Sequence, residues 1–406
     1  MRSFILVALA ACGLVACDDA GSESPPQNDL GAAPALDAGA ADAAPTDASD
    51  ATSMVDTGMP PAPDAAMSAD ATPAPQPDAD PMPLSDAAIP PDAAPPPLTP
   101  EADCMGQPQP IAPALQETRI NGQRMLYSDT PTETGILFLF HGNGGSPDIW
   151  LTQTEHVLIT LAALERGFLV IALKSIDMGW SKVCCNGEDR CCEEGVCCTD
   201  QNDDIDNVRQ AIAHVVDAGL ANEQTALYAV GYSNGGGFTG RLTQGLELVA
   251  AATVNSGSSG SIIRNTDALP PMFFQGARAD PIVRPEAAIT NHASFVERGV
   301  RTALRINEPA PLTPGRLSRI DGISCEQSIT LYDGMMRAGL IDADGFLTGS
   351  VEDTMGRIEA NPYWQSNGLD AHSRNVTLQF RELKAEHPLS GEWADDIMAF
   401  MLLDEG

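Results

Sequence analysis

From residue 135 onward, short and wholly apolar runs alternate with stretches in which apolar residues recur every three or four positions. The run Gly135-Ile-Leu-Phe-Leu-Phe140 contains no polar position, as a central strand covered on both faces requires. Residues 167–173 repeat the pattern, and 156–166 between them have helical spacing. A second helix is predicted from Ile205, Val208, Ile212, Val215 and Val216, with Asp203 and Asp204 as its N-caps and Gly219 as its stop. Strands are then expected at 225–230, 250–254, 272–275 and 376–380. A last amphipathic helix runs through Trp393, Ile397, Phe400 and Met401. Alternation of this kind predicts an α/β fold: a mostly parallel central sheet with helices on both faces. Ligands of such sheets bind at the carboxyl ends of the strands.

The chain has 406 residues, and its first hundred are different material. Residues 1–16 join a basic start to a short apolar core and small residues, the pattern of a secretory signal peptide. The apolar core is too short to span a membrane, and no later run is long enough. Leu14-Val15-Ala16-Cys17 resembles a bacterial lipobox, which implies cleavage before Cys17 and lipidation of its sulfur. An ordinary signal with a chance cysteine is the alternative. Cys12 also fits the pattern but would leave a very short apolar core. Residues 17–103 are almost entirely Ala, Asp, Pro, Ser, Gly and Thr. From Asp18 to Asp103 there are 17 acidic residues and no Lys or Arg. Such composition buries too little apolar surface to offset its ordering entropy. It is expected to be a disordered linker, kept extended by proline and like charge. A solvated spacer is favoured over a binding role.

Residues 104–406 are balanced enough to form one α/β domain. They carry 39 acidic residues against 21 Lys and Arg, which argues against a nucleic-acid partner. Eight cysteines remain beyond Cys12 and Cys17: Cys104, Cys184, Cys185, Cys191, Cys192, Cys197, Cys198 and Cys325. An even number in an exported chain reads as disulfides. Six of them form three adjacent pairs within 184–198, a Cys-rich insertion. A metal cluster is disfavoured there, because no C-x-x-C step occurs and no His is near. Cys104 and Cys325 are candidates to join the domain's entry to a late loop. Asp342-Ala-Asp-Gly345 hints at a calcium loop, but Leu340 and Val351 stand where that loop needs acids. No metal or cofactor is expected.

Four features fall at the predicted strand ends. Gly231-Tyr232-Ser233-Asn234-Gly235 follows a strand as G-x-S-x-G, a spacing that exposes a serine hydroxyl on a sharp strand-to-helix turn. His141-Gly142-Asn143-Gly144-Gly145 follows the central strand and leaves backbone N–H groups free to face an oxyanion. Asp280 lies just past another strand. His387 lies between the last expected strand and the last helix. A serine hydroxyl needs an imidazole to take its proton, and a carboxylate fixes that imidazole's tautomer. The N–H of Asn234 would be a second oxyanion donor. Asp267 and Asp321 are weaker candidates for the acid. His292 and His372 are weaker candidates for the base, and His141 is read as shaping its loop. Ser, Asp, His is the chain order of α/β-hydrolases.

One resemblance is narrower. Asp203-Asp204 with its helix, Tyr228-Ala-Val-Gly-Tyr-Ser-Asn-Gly-Gly236, and Trp180 followed by Cys184-Cys185 resemble the secreted poly(3-hydroxybutyrate) depolymerase and feruloyl esterase group. Gln275-Gly-Ala-Arg-Ala-Asp-Pro-Ile-Val283 is similar to that group's acid-bearing segment. The resemblance covers about 120–290 and, more weakly, 376–400. It implies a triad of Ser233, Asp280 and His387, with Asn143 and Asn234 at the oxyanion positions. The sequence departs from the group around His387, which lacks the usual glycine-rich run and Trp-Pro. Residues 304–375 have no match and are expected to be a lid or specificity region. The implied protein is an exported serine esterase, a cell-envelope lipoprotein or extracellular, acting as a monomer on a carboxylic ester. Polyhydroxyalkanoate, feruloyl and acetyl-polysaccharide esters are the candidate substrates. A serine peptidase on the same fold and an inactive polymer-binding surface lipoprotein are the alternatives.

Overall fold

The computed structural model describes residues 100–403, except 109, 178, 181–201 and 257–267. The signal at 1–16, Cys17, nearly all of the 17–103 segment, the six cysteines from Cys184 to Cys198, and Asp267 lie outside the described residues.

Eight strands form one sheet: β1 (Gln116–Ile120), β2 (Gln123–Tyr127), β3 (Gly135–Phe140), β4 (Phe168–Leu173), β5 (Leu227–Tyr232), β6 (Ala250–Val254), β7 (Met272–Ala277) and β8 (Thr302–Asn307). Their order is β1-β2-β4-β3-β5-β6-β7-β8. The β1–β2 and β2–β4 pairs are antiparallel, and every pair from β4 to β8 is parallel. The helices are α1 (Pro100–Gly106), α2 (Ile149–Thr152), α3 (Thr154–Glu165), α4 (Asp203–Asp217), α5 (Asn234–Gly245), α6 (Glu286–Glu297), α7 (Cys325–Arg337), α8 (Val351–Glu359), α9 (Pro362–Ser366), α10 (Ser373–Leu383) and α11 (Ala394–Leu402). This is the α/β-hydrolase fold.

The central strand shows why an unbroken apolar run was needed. Ile136, Phe138 and Phe140 enter one core, with Ile205 and Val208 of α4, Phe238 of α5 and Phe295 of α6. Leu137 and Leu139 enter the other, with Ile159 of α3 and Ile397 and Met401 of α11. Each such side chain contributes about 1.5–3 kcal/mol on burial, so neither face of β3 tolerates a polar residue.

Two expectations are corrected. Residues 376–380 are not a strand: they lie inside α10, where Val376, Phe380 and Leu383 are buried at helical spacing. The last strand is β8, at the sheet edge and only half-buried. The N-cap of α4 is Asn202, whose side chain accepts the N–H groups of Asp204 and Ile205. Neither Asp203 nor Asp204 plays that part.

Between β8 and α11 the chain builds a third core of its own. It includes Leu317, Ile320, Met335, Ile358, Trp364 and Phe380. The unmatched stretch 304–375 therefore begins inside the sheet and continues as a helical unit. Cys325, at the start of α7, is disulfide-bonded to Cys104 of α1, 221 residues away.

Candidate active site

Ser233 sits between β5 and α5 with φ 54° and ψ −120°, a conformation that costs a non-glycine residue about 1–3 kcal/mol. Its backbone is held in place nonetheless. Its N–H donates to the Val254 carbonyl at 2.8 Å, and its own carbonyl accepts from Gly236 at 3.0 Å. The turn works only because α5 lies directly against the neighbouring strands. A Cβ at Gly235 would overlap the Phe140 carbonyl, and one at Gly236 would fall 2.6 Å from Ser256 Cβ.

The structure brings Ser233, Asp280 and His387 into one hydrogen-bonded chain. His387 Nε2 lies 2.8 Å from Ser233 Oγ, and its Nδ1 lies 2.7 Å from Asp280 Oδ2. A carboxylate only accepts, so Nδ1 carries the proton and Nε2 is free to take one from serine. The Asp280 side chain is fully buried, and that of His387 is 14 % exposed. Burial opposes ionisation of Asp280. His387 and the N–H groups of Val283 and Ile282 outweigh it and hold the carboxyl below its ordinary pKa.

His387 reaches this place from a helix, not from a strand. α10 ends, Ala385 turns the chain with φ 53°, and the Ala385 carbonyl accepts the N–H of Ala279 at 2.9 Å. The loops bearing the acid and the imidazole are thereby tied backbone to backbone. Asn255 Nδ2 donates to the carbonyls of His387 at 2.7 Å and Pro388 at 3.0 Å. Tyr232 Oη donates to the His387 carbonyl at 3.3 Å. Further along the loop, the Gly391 N–H donates to Glu155 Oε2 at 2.7 Å, while Gln379 of α10 donates to Glu155 Oε1 at 2.6 Å. Burial works against the Glu155 charge, but Arg319 and Arg316 outweigh it and lower its pKa. Asn255, Tyr232 and Glu155 escaped the sequence reading, because each acts on a loop distant in the chain. Asn255-Ser256 at the end of an apolar run was the one local sign.

The glycine-rich loop lies against the serine. A Cβ at Gly142 would be 3.2 Å from Ser233 Cβ, and Asn143 follows it. Asn234 occupies the first turn of α5, where a helix leaves N–H groups without intrahelical partners. Its side chain is held elsewhere, accepting the Trp180 N–H at 2.6 Å. Trp180 also donates its indole N–H to the His141 carbonyl at 2.7 Å. His141 is buried, which lowers its pKa to about 4, and its Nε2 accepts the Ser175 N–H at 3.2 Å. It is a neutral ring that shapes its loop.

The rival residues lie elsewhere. Asp321 is exposed. His372 packs beside Gly322, whose added Cβ would stand 2.6 Å from the ring. His292 lies within α6. Among the described residues, no group of three or more His, Cys, Asp and Glu could hold a metal ion. Asp342 Oδ1 instead accepts the N–H groups of Asp344 and Phe346.

No family model matches the chain, and no curated protein matches it in sequence. Solved structures similar to it include a Bacillus cereus carboxylesterase, 15% identical with a TM-score of 0.34, covering 45% of this chain and 84% of that one. The esterase Pf2001 of Pyrococcus furiosus is 12% identical with a TM-score of 0.34, covering 48% and 82%. An acylaminoacyl peptidase of Pyrococcus horikoshii is 12% identical with a TM-score of 0.35, covering 59% and 44%. Likenesses this distant carry no argument about chemistry, which rests on the geometry above.

Proposed function

We propose that the chain is a serine hydrolase of carboxylic esters, working through an acyl-Ser233 intermediate. The observation that carries this reading is the Ser233–His387–Asp280 chain on a strained strand-to-helix turn. In the first half-reaction His387 Nε2 takes the hydroxyl proton as Ser233 Oγ attacks the ester carbonyl. The carbonyl oxygen becomes an oxyanion, which the N–H groups of Asn143 and Asn234 stabilise. The imidazolium, stabilised by Asp280, returns the proton to the departing alcohol. Water then repeats the sequence against the acyl-enzyme and releases the acid.

Within this reading the export signal, the lipid on Cys17 and the acidic 17–103 spacer hold a monomeric catalytic domain, residues 104–406, away from a membrane surface. The helical unit between β8 and α11 sets the specificity of the site. Polyhydroxyalkanoate, feruloyl and acetyl-polysaccharide esters are the candidate substrates.

A chromogenic ester panel of varied acyl length, beside feruloyl and polyhydroxybutyrate substrates, tests the reading. Turnover of at least one class with loss in Ser233→Ala supports it. Turnover of peptides alone would replace it with the peptidase reading, and binding of polymer without turnover would replace it with an inactive binder.

A further inference from the structure

Ser233 opens onto a cavity of about 440 Å³, lined also by Asn234, Ser256, Ile282, Val283 and Arg284. This volume lies within the range of small-molecule sites. Its chemistry is uneven. Ile282 is 71 % exposed, an apolar side chain left in the open beside the catalytic groups. Arg284 is exposed, and among the described residues no ion pair is made by it. Among the described residues that line the cavity it is also the one with a charge. Glu286, two residues on, begins α6 and is the nearest acid in sequence. Ser256 is buried, and its hydroxyl has no hydrogen-bond partner among the described residues.

The segment bearing Ile282, Val283 and Arg284 is not a free loop. Asp280 Oδ2 holds His387, while Asp280 Oδ1 accepts the N–H groups of Ile282 at 2.7 Å and Val283 at 2.9 Å. The carboxylate that orients the base thus also fixes the wall of the cavity. The planar fork of a guanidinium on this support loses less freedom per hydrogen bond formed with an anion than an ammonium would. It also stands out on a domain with 39 acidic against 21 basic residues.

We infer that Arg284 is a specificity-determining residue, and that the preferred substrate is an ester with a carboxylate on one limb and an apolar body against Ile282. This rests on the hydrolase reading above and narrows it. A hydroxy-acid oligomer with a free acid end, a dicarboxylic half-ester and an ester of an acidic sugar all share this chemistry. A charge-assisted, bidentate contact discriminates by about tenfold or more in kcat/KM.

Two matched pairs test it with the full chain at neutral pH. 4-Butyryloxybenzoate against its methyl ester places the carboxylate on the leaving limb. Mono-4-nitrophenyl suberate against 4-nitrophenyl octanoate places it on the acyl limb. The readout is the ratio of kcat/KM within each pair, for wild type, Arg284→Gln, Arg284→Glu and Arg284→Lys. Wild type is expected to favour the anionic member of one pair by about tenfold. Arg284→Gln should bring that ratio to near one, Arg284→Glu below one, and Arg284→Lys should restore part of it. A ratio that is the same in wild type and Arg284→Gln overturns the inference while leaving the hydrolase reading intact. Turnover of none of the four by wild type that still hydrolyses a feruloyl or polyhydroxybutyrate substrate overturns the inference alone, and turnover of no ester at all overturns both.

Discussion

Asp280→Asn separates positioning from packing, because an amide keeps the shape of the carboxylate. Asp280 Oδ1 accepts two backbone N–H groups, those of Ile282 and Val283, and Oδ2 faces His387 Nδ1 at 2.7 Å. An amide can point only one of its ends each way. Turning its NH₂ toward the loop would strand two backbone donors at about 1–3 kcal/mol each. The carbonyl therefore stays on the loop, and the NH₂ faces Nδ1. Two donors cannot face one another, so the ring proton moves to Nε2, which can no longer accept from Ser233. The expected loss is about 10⁴ in kcat, close to 5.5 kcal/mol. KM should change little, since Asp280 is buried beneath the ring. Stability adds a pH signature. The native carboxyl titrates below its ordinary value, so its contribution is present above the unfolded pKa and is lost as pH falls through the native one. The stability gap between wild type and Asp280→Asn should accordingly close in acid. Ester turnover and urea unfolding from pH 3 to 7 measure both effects. A folded variant that keeps more than a tenth of wild-type kcat would refute the assignment of Asp280.

Three further outcomes are expected. Glu155→Ala removes the acceptor of Gln379 and Gly391 and one counter-charge of Arg316 and Arg319; it should cost about 3–5 kcal/mol in urea unfolding, and a loss below about 1 would dismiss the network. Gly235→Ala forces a Cβ into the Phe140 carbonyl, so a drop of about 1–3 kcal/mol with reduced turnover is expected. Burial raises the pKa of Asp204 to about 6; in urea unfolding, the stability of wild type relative to Asp204→Asn should fall by roughly 2 kcal/mol as pH rises from 4 to 7, and a pH-independent difference would count against it.

Much of the fold was legible because central strands in a two-faced sheet must be wholly apolar, as β3 and β4 are. Edges were not. β8 carries Arg305, which pairs with Asp396 and stacks beside Trp393 at the half-buried edge, so its run is interrupted by charge. β1 and β2 are short and mostly polar, and went unread. Their turn, Asn121-Gly122 with positive φ at both positions, is a standard hairpin signal between two weak strands. Val376-Thr-Leu-Gln-Phe380 misled because its β-branched residues and alternation fit a strand over five positions. Only a wider window brings in Leu383 and reveals the helical face. In sequence His387 stands out by its place after an expected strand, which the fold lacks; the geometry places it beside Ser233 and Asp280 for another reason, the anchoring of its loop by Asn255, Ala279 and Glu155. Such long-range anchors leave no periodic trace in sequence.

The central claim is that Ser233 is a nucleophile, and covalent labelling tests it most directly. The full chain is treated with a fluorophosphonate, ester turnover is followed, and the adduct is located by peptide mass. The account predicts one phosphonyl group per chain, on Ser233, with turnover lost in step and no label in Ser233→Ala. An unlabelled Ser233 in folded protein, or ester hydrolysis that survives Ser233→Ala, would contradict it.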